Sequence, residues 1–259
     1  MAVPLSANAF VKALKAEGLT VVEVGDWRTH NRNSRGPWGP VHGVMIHHTV
    51  TKGSARTVDI CRKGHSGLPG PLCHGVITKD GTVHLVGYGR ANQAGSGDDD
   101  VLRAVIGEQA LPVDNEANTD GNRCFYGFEC ENLGDGKDPW PAAQLLAIEK
   151  VAAAICREHG WSERSTIGHL EWQPGKVDPR GFTMASMRAR IAERLGAESS
   201  SGTGSPDGTT YMVKQGDTLW SIAAGKLGDG NRWREIAALN KLADADEIAP
   251  GQKLKLPEK

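Results

Sequence analysis

Apolar residues recur along this chain in two different rhythms. GVMIHHTV (43–50) begins with a continuous apolar run bounded by Gly43, the pattern of a buried strand. CHGVITKDGTVHLVGYG (73–89) sets two β-prone runs around Asp80-Gly81, a pair that tolerates the positive φ of a tight hairpin turn. CFYGFECEN (124–132) predicts a further strand. The rhythm then changes: in DPWPAAQLLAIEKVAAAICREHG, Leu145, Ile148, Ala152 and Ile155 fall at helical spacing, and Gly160 stands where a C-capping glycine belongs. MASMRARIAERLG predicts a last helix, and the N-terminal stretch an amphipathic one. The fold class expected is α/β, a mixed central sheet flanked by helices.

Near residue 197 the apolar rhythm stops. GAESSSGTGSPDGTT is rich in Gly, Ser and Thr and predicts a flexible linker over 197–210, between a large domain at 1–196 and a small one at 211–259. At 259 residues with 39% hydrophobic and 24% charged content, a sizeable core is possible. The formal net charge of −1 gives no electrostatic reason to expect nucleic acid or an acidic membrane as partner. No run approaches the ~18 apolar residues of a membrane span. The N-terminus lacks a basic leader region, so synthesis in a cytosol without a signal peptide is expected. The five cysteines show no CxxC spacing and read as reduced, buried thiols, with a Cys124–Cys130 bridge left open.

The chemistry concentrates in GHLEWQPGKVDPR (168–180), where His169, Lys176 and Asp178 share one irregular stretch. A catalytic zinc takes three protein ligands and leaves a position for water. His169 and Asp178 could supply two, and His47 or His48 a third, since only one of two neighbouring strand residues can face a site. Each element alone is weak: a lone histidine is more often structural, and Asp178-Pro179 is also an ordinary turn signal.

The ordered set VMIHHT, DGTV, YGFECEN and GHLEWQPGKVDPR resembles the zinc-dependent N-acetylmuramoyl-L-alanine amidases, a superfamily that includes phage endolysins and peptidoglycan recognition proteins. The resemblance covers roughly residues 20–195, and the stretch before VMIHHT looks like lysins of actinobacteria and their phages. It implies one zinc per chain held by His47, His169 and Asp178, with Lys176 as catalytic lysine and Glu129 as catalytic carboxylate. Glu131, two residues on, competes for that last role. Gln93 and Cys73 occupy places where relatives often carry His and Tyr. His74 is expected to be structural, His48 to face the core, and His30 and His42 to lie near the entrance.

Residues 211–257 resemble a LysM module, through YMVKQGDTLWSIA, IAALN and IAPGQKLKLP. The resemblance implies a small βααβ domain that binds the N-acetylglucosamine-containing glycan of peptidoglycan or chitin. Its groove maps to Gly216, Asp217, Thr218 and Leu219, facing Ile248, Pro250 and Gly251. Together the two resemblances imply a peptidoglycan hydrolase that cuts the amide between N-acetylmuramic acid and L-alanine, expected as a monomer. Its setting is a phage endolysin or an exported actinobacterial wall amidase, and the missing signal peptide favours the endolysin. A peptidoglycan-binding protein without catalysis is the alternative, disfavoured by the intact ligand set. A glycosidase would need two carboxylates flanking a sugar bond, which Glu129 and Glu131 on one strand do not supply.

Overall fold

The computed structural model describes residues 2–199, 210–214, 217–240, 242, 248–249 and 251–257. The chain divides into two compact units, Met1–Ser200 and Ser201–Lys259.

In the larger unit, α1 (Ala7–Ala16) and β1 (Val21–Glu23) lead to β2 (Gly43–His48) and α2 (Ser54–Lys63). The hairpin strands β3 (Gly75–Ile77) and β4 (Val83–Leu85) come next, then α3 (Asp99–Ile106) and β5 (Phe125–Cys130). α4 (Ala142–His159), β6 (Thr166–Gly168) and α5 (Met184–Ser199) complete it. The six strands form one sheet in the order β1-β4-β3-β5-β2-β6. Within this sheet only the β3–β4 hairpin is antiparallel, turning at Gly81 with φ +84° as the Asp-Gly pair predicts; β3, β5, β2 and β6 run parallel. The mixed α/β architecture is therefore as expected.

Strand alternation sorts side chains to the two faces. Val44, Ile46, Tyr126, Phe128 and Cys130 pack with α1, α4 and α5 in the main core. Met45, Phe125 and Ile167 project the other way, onto Val101 and Val105 of α3 and onto Trp172. Farther along that second face, Val76 packs with Cys61 of α2 and with Cys73. All five cysteines are buried free thiols. Cys124 and Cys130 lie in the two opposite cores, so the sheet itself keeps them from pairing.

α4 ends at Gly160 in the left-handed conformation (φ 67°), a position glycine adopts without a Cβ penalty. α5 runs to Ser199, three residues into the stretch read as linker, because Ala197 and Glu198 favour helix. Residues 200–209 of that stretch lie outside the described residues.

The smaller unit has the expected βααβ order: β7 (Thr210–Met212), α6 (Leu219–Leu227), α7 (Trp233–Leu239) and β8 (Lys253–Lys255), with β7 antiparallel to β8. Val213, Leu219, Ile222, Ala223, Ile236 and Leu254 form its core.

Candidate metal centre

β2 delivers two consecutive histidines to opposite faces. His48 lies on the side of the main core, where its Nδ1 accepts from the Arg180 amide at 3.1 Å, as its expected inward orientation requires. His47 takes the other face, 1% exposed, with Glu129 beside it in the parallel register of β5. Downstream, Val50 carries φ 53°, a left-handed conformation that a β-branched side chain rarely adopts.

β6 pairs with β2 so that Gly168 lies beside Ile46, which sets the next residue, His169, level with His47. The loop that follows turns back on itself. The Leu170 amide donates to the Asp178 carbonyl at 2.7 Å. Glu171 accepts from the Gly168 amide and pairs with Arg188 through both oxygens, at 2.7 and 2.8 Å. Trp172 is fully buried; its Nε1–H donates to the Ala94 carbonyl at 3.0 Å, and its ring fills the space that a Cβ at Gly97 or Gly121 would take. These three anchors bring Asp178 beside His169.

The result is a triangle of donor atoms. His47 Nδ1 lies 3.0 Å from His169 Nδ1 and 3.0 Å from Asp178 Oδ2, and His169 Nδ1 lies 3.2 Å from the same oxygen. A proton can serve one such contact at a time, whereas a cation serves all three. A tetrahedral zinc with bonds of about 2.0–2.1 Å would hold its ligand atoms about 3.3–3.4 Å apart, and two imidazoles with one carboxylate are a donor set zinc accepts. The residues present fit a metal of that kind. Behind each imidazole stands a carboxamide: His47 Nε2 is 3.1 Å from Gln93 Oε1, and His169 Nε2 is 3.2 Å from Gln173 Oε1.

Charge is distributed asymmetrically over the triangle. Burial pulls His47 down, but the hydrogen bond with Asp178 and the Glu129 charge outweigh it and raise its pKa. Burial lowers the pKa of His169, against the opposing effect of Asp178. Burial also disfavours the charged Asp178, yet both histidines hold its carboxyl far below the usual carboxylate range.

Glu129 shares the face of His47, with Oε2 buried and unpartnered. Burial pushes its carboxyl up to about 7, offset in part by His47. Glu131 is engaged elsewhere: it accepts from the Gly53 amide at 2.8 Å and from Ser54 Oγ at 2.7 Å, at the start of α2. Lys176 is exposed on the 169–178 loop, and its charge acts on Glu129 and His169. His74 is fully buried and structural, its Nδ1 accepting from the Gly127 amide at 2.9 Å and its Nε2 donating to the Gly89 carbonyl at 2.8 Å. His30 is held by its backbone to Asp26 and Tyr88. His42, expected at the entrance, precedes β2 at its far end, five residues from His47. At strand spacing that is about 16 Å, so this expectation is corrected. Cys73, fully buried against Cys61, is enclosed in the second-face core.

Three residues at the centre escaped the sequence reading. Gln173 follows His169 by four residues, a spacing that could have flagged it. Gln93 stands out in the sequence only as a departure from relatives, and nothing local reveals Gly127 as the gap in which Gln93 lies: a Cβ there would be 2.2 Å from Gln93 Oε1.

In the smaller unit, Asp217 accepts from the Lys214 amide at 2.7 Å and from Tyr211 Oη at 2.8 Å. Thr218 caps α6 in a reciprocal pair with Ser221, and Leu219 is 2% exposed. Ile248 packs on the small core, and Gly251 turns with φ +87°. Gly216 and Pro250 lie outside the described residues.

Comparison with known proteins bears on both units. The LysM domain profile matches residues 211–257. The amidase XlyB of Bacillus subtilis (strain 168) is 31% identical over 163 residues, covering 58% of this chain and 50% of that protein. XlyA of the same strain is 34% identical over 143 residues, covering 54% and 41%. The chain thus spans half or less of the length of these relatives. The solved catalytic domain of XlyA aligns at 18% identity and a TM-score of 0.44, over 67% of this chain and 99% of that one. The N-acetylmuramoyl-L-alanine amidase profile matches residues 37–181, more than half of the chain and all of the candidate metal centre. The chain therefore belongs to the N-acetylmuramoyl-L-alanine amidase family and carries a LysM domain at its C-terminal end.

Proposed function

We propose that this protein is a peptidoglycan hydrolase that cleaves the amide between N-acetylmuramic acid and the L-alanine of the stem peptide, using zinc held by His47, His169 and Asp178. The observation that carries the reading is the convergence of those three donor atoms, within 3.2 Å of one another, beside a carboxyl poised near 7. When bound, zinc supplies Lewis acidity, bringing water within reach of deprotonation near neutral pH and polarising a carbonyl. Glu129 takes a proton from the attacking water and returns it to the leaving nitrogen, a role for which a pKa near the working pH is suited. Lys176, exposed on the loop, approaches the carbonyl oxygen as negative charge develops there, worth about 3 kcal/mol for a well-placed donor.

The domain at 1–196 does the cutting. Residues 211–259 hold the wall through Gly216, Asp217, Thr218 and Leu219, opposite Ile248, Pro250 and Gly251. Tethering by 197–210 raises the catalyst's effective concentration at an insoluble substrate. The setting we favour is a phage endolysin, made in the host cytoplasm and acting as a monomer on an actinobacterial wall; resemblance of the stretch before β2 supports this.

Purified cell walls test the reading. New N-terminal alanine without new reducing ends, abolished by a chelator and restored by zinc, is the expected result. Wall binding with no released groups in the presence of zinc would replace it with a non-catalytic recognition role.

A further inference from the structure

Building on the metal-centre reading above, we propose that Gln93 and Gln173 are a matched pair of positioning residues. They lock both ligand imidazoles as Nε2–H tautomers, so that only Nδ1 can face a metal. A neutral imidazole carries one N–H, and the partner of one nitrogen decides which form the other presents. A carboxamide oxygen can only accept. Opposite His47 Nε2 stands Gln93 Oε1 at 3.1 Å, and opposite His169 Nε2 stands Gln173 Oε1 at 3.2 Å. Both acceptors therefore push the lone pairs to the two Nδ1 atoms, the atoms that meet at the triangle.

The surroundings fix the Gln93 amide rather than leave it to rotate, and they bring Gln173 against the same segment. Gln93 Nε2 donates to the Phe125 carbonyl at 3.2 Å, which sets which end of the amide faces His47. Its side chain crosses β5 over Gly127, where a Cβ would come within 2.2 Å of Oε1 and 2.4 Å of Cδ. Its backbone is held by Asn122, whose Oδ1 accepts from the amides of Gln93, Ala94 and Gly95 at 2.8, 2.9 and 3.2 Å. Gln173 rests against the same segment: a Cβ on Gly95 would lie 3.4 Å from its Oε1. The Gln173 amide also donates to the His169 carbonyl at 3.2 Å, a one-turn closure that swings the side chain back over the ring. The stretch 93–95 thus carries the acceptor behind His47 and lies beside the acceptor behind His169.

The choice of amide over carboxylate has a chemical consequence. A carboxylate behind each imidazole would strengthen the ligands but add two negative charges. Two amides orient the rings and leave Asp178 as the one anionic ligand, so a divalent ion there keeps a net positive charge to oppose the charge developing on a substrate oxygen.

The test compares the full-length wild type with Gln173→Met, Gln173→Glu and Gln93→Met. The Met side chains keep length and lose the acceptor, whereas Gln173→Glu keeps it. Zinc affinity is read by competition with a chromophoric chelator, and the ring nitrogens by 15N NMR. The expected result is Nδ1 ligation with protonated Nε2 in the wild type. Zinc affinity should fall about 10–100-fold in each Met variant and be retained in Gln173→Glu. Gln173 is only partly buried, so its variants keep the test valid should Gln93→Met fail to fold. Wild-type affinity in Gln173→Met, or Nε2 ligation in the wild type, overturns the inference while leaving the metal centre intact. A wild type that takes up no zinc overturns both.

Discussion

Replacing Glu129 by glutamine should stabilise the metal-free protein, and only on the alkaline side. Burial holds this carboxyl at about 7 against an ordinary 4.5. Between those values the folded chain retains a proton that the unfolded chain has released, so the contribution of Glu129 to stability falls as pH rises through the window. The full difference is worth about 3 kcal/mol above pH 7. Glutamine keeps the shape and cannot ionise, but it forfeits the attraction to a charged His47. A net gain of about 2–3 kcal/mol at pH 8, vanishing near pH 4, is therefore expected. Urea unfolding of chelator-treated full-length protein at several pH values gives the difference. Five of the seven tryptophans lie in the larger unit, so fluorescence reports chiefly on it. With zinc restored the gain should shrink, because a nearby cation favours the ionised carboxyl. An equal difference at pH 4 and pH 8, or a less stable variant at pH 8, would refute the assignment of Glu129 as a desolvated carboxyl.

Other substitutions probe the supports. Gly127→Ala should displace Gln93 and cost about 1–3 kcal/mol for each buried polar group left unmatched; adding Gln93→Ala should recover the thermal transition but not zinc affinity. Trp172→Ala should cost about 3–5 kcal/mol in urea and loosen zinc, because the loop carrying Asp178 loses its anchor. Lys176→Met, at an exposed position, should leave stability within about 0.5 kcal/mol. It should lower kcat on cell walls about 10²-fold with zinc affinity unchanged. Val50→Gly should raise the melting temperature, since relieving a left-handed valine returns about 1 kcal/mol; an unchanged or lower transition would count against strain there.

The parts of this fold that announced themselves are those whose burial writes a period into the chain. The apolar run before His47, the Asp80-Gly81 turn and the Leu145–Ile155 spacing all reappear as β2, the hairpin and α4. α2 did not announce itself, because Thr57 and Cys61 are its buried residues and leave no apolar stripe to read. β1 and β6, three residues each, are too short to carry a pattern. At the centre, the resemblance brought His47, His169 and Asp178 into one set and chose His47 over its neighbour, where strand alternation said only that one of the two histidines could face the site. The different surroundings of Glu129 and Glu131 needed the structure, because only the position of α2 shows Glu131 already engaged. Gln93 and Gly127 were illegible for a similar reason: a glycine's missing Cβ acquires meaning only from what fills the gap, and that residue lies 34 positions away in sequence.

The parity of β2 and β5 also bears on how such a centre can change over generations. His47 and Glu129 stand side by side because each occupies the same phase of its strand. A one-residue insertion between Gly43 and Ile46 would turn His47 into the helix-covered core. The same insertion in β5 would replace Glu129 on the working face by Phe128. A length change in either strand therefore acts as a frame shift of the surface, which a matching change in the neighbouring strand would offset. The segment from Pro174 to Val177, which lies exposed, can change length while both ends stay anchored. Length is therefore constrained in the strands that carry His47 and Glu129, and less so in the exposed backbone between Gln173 and Asp178.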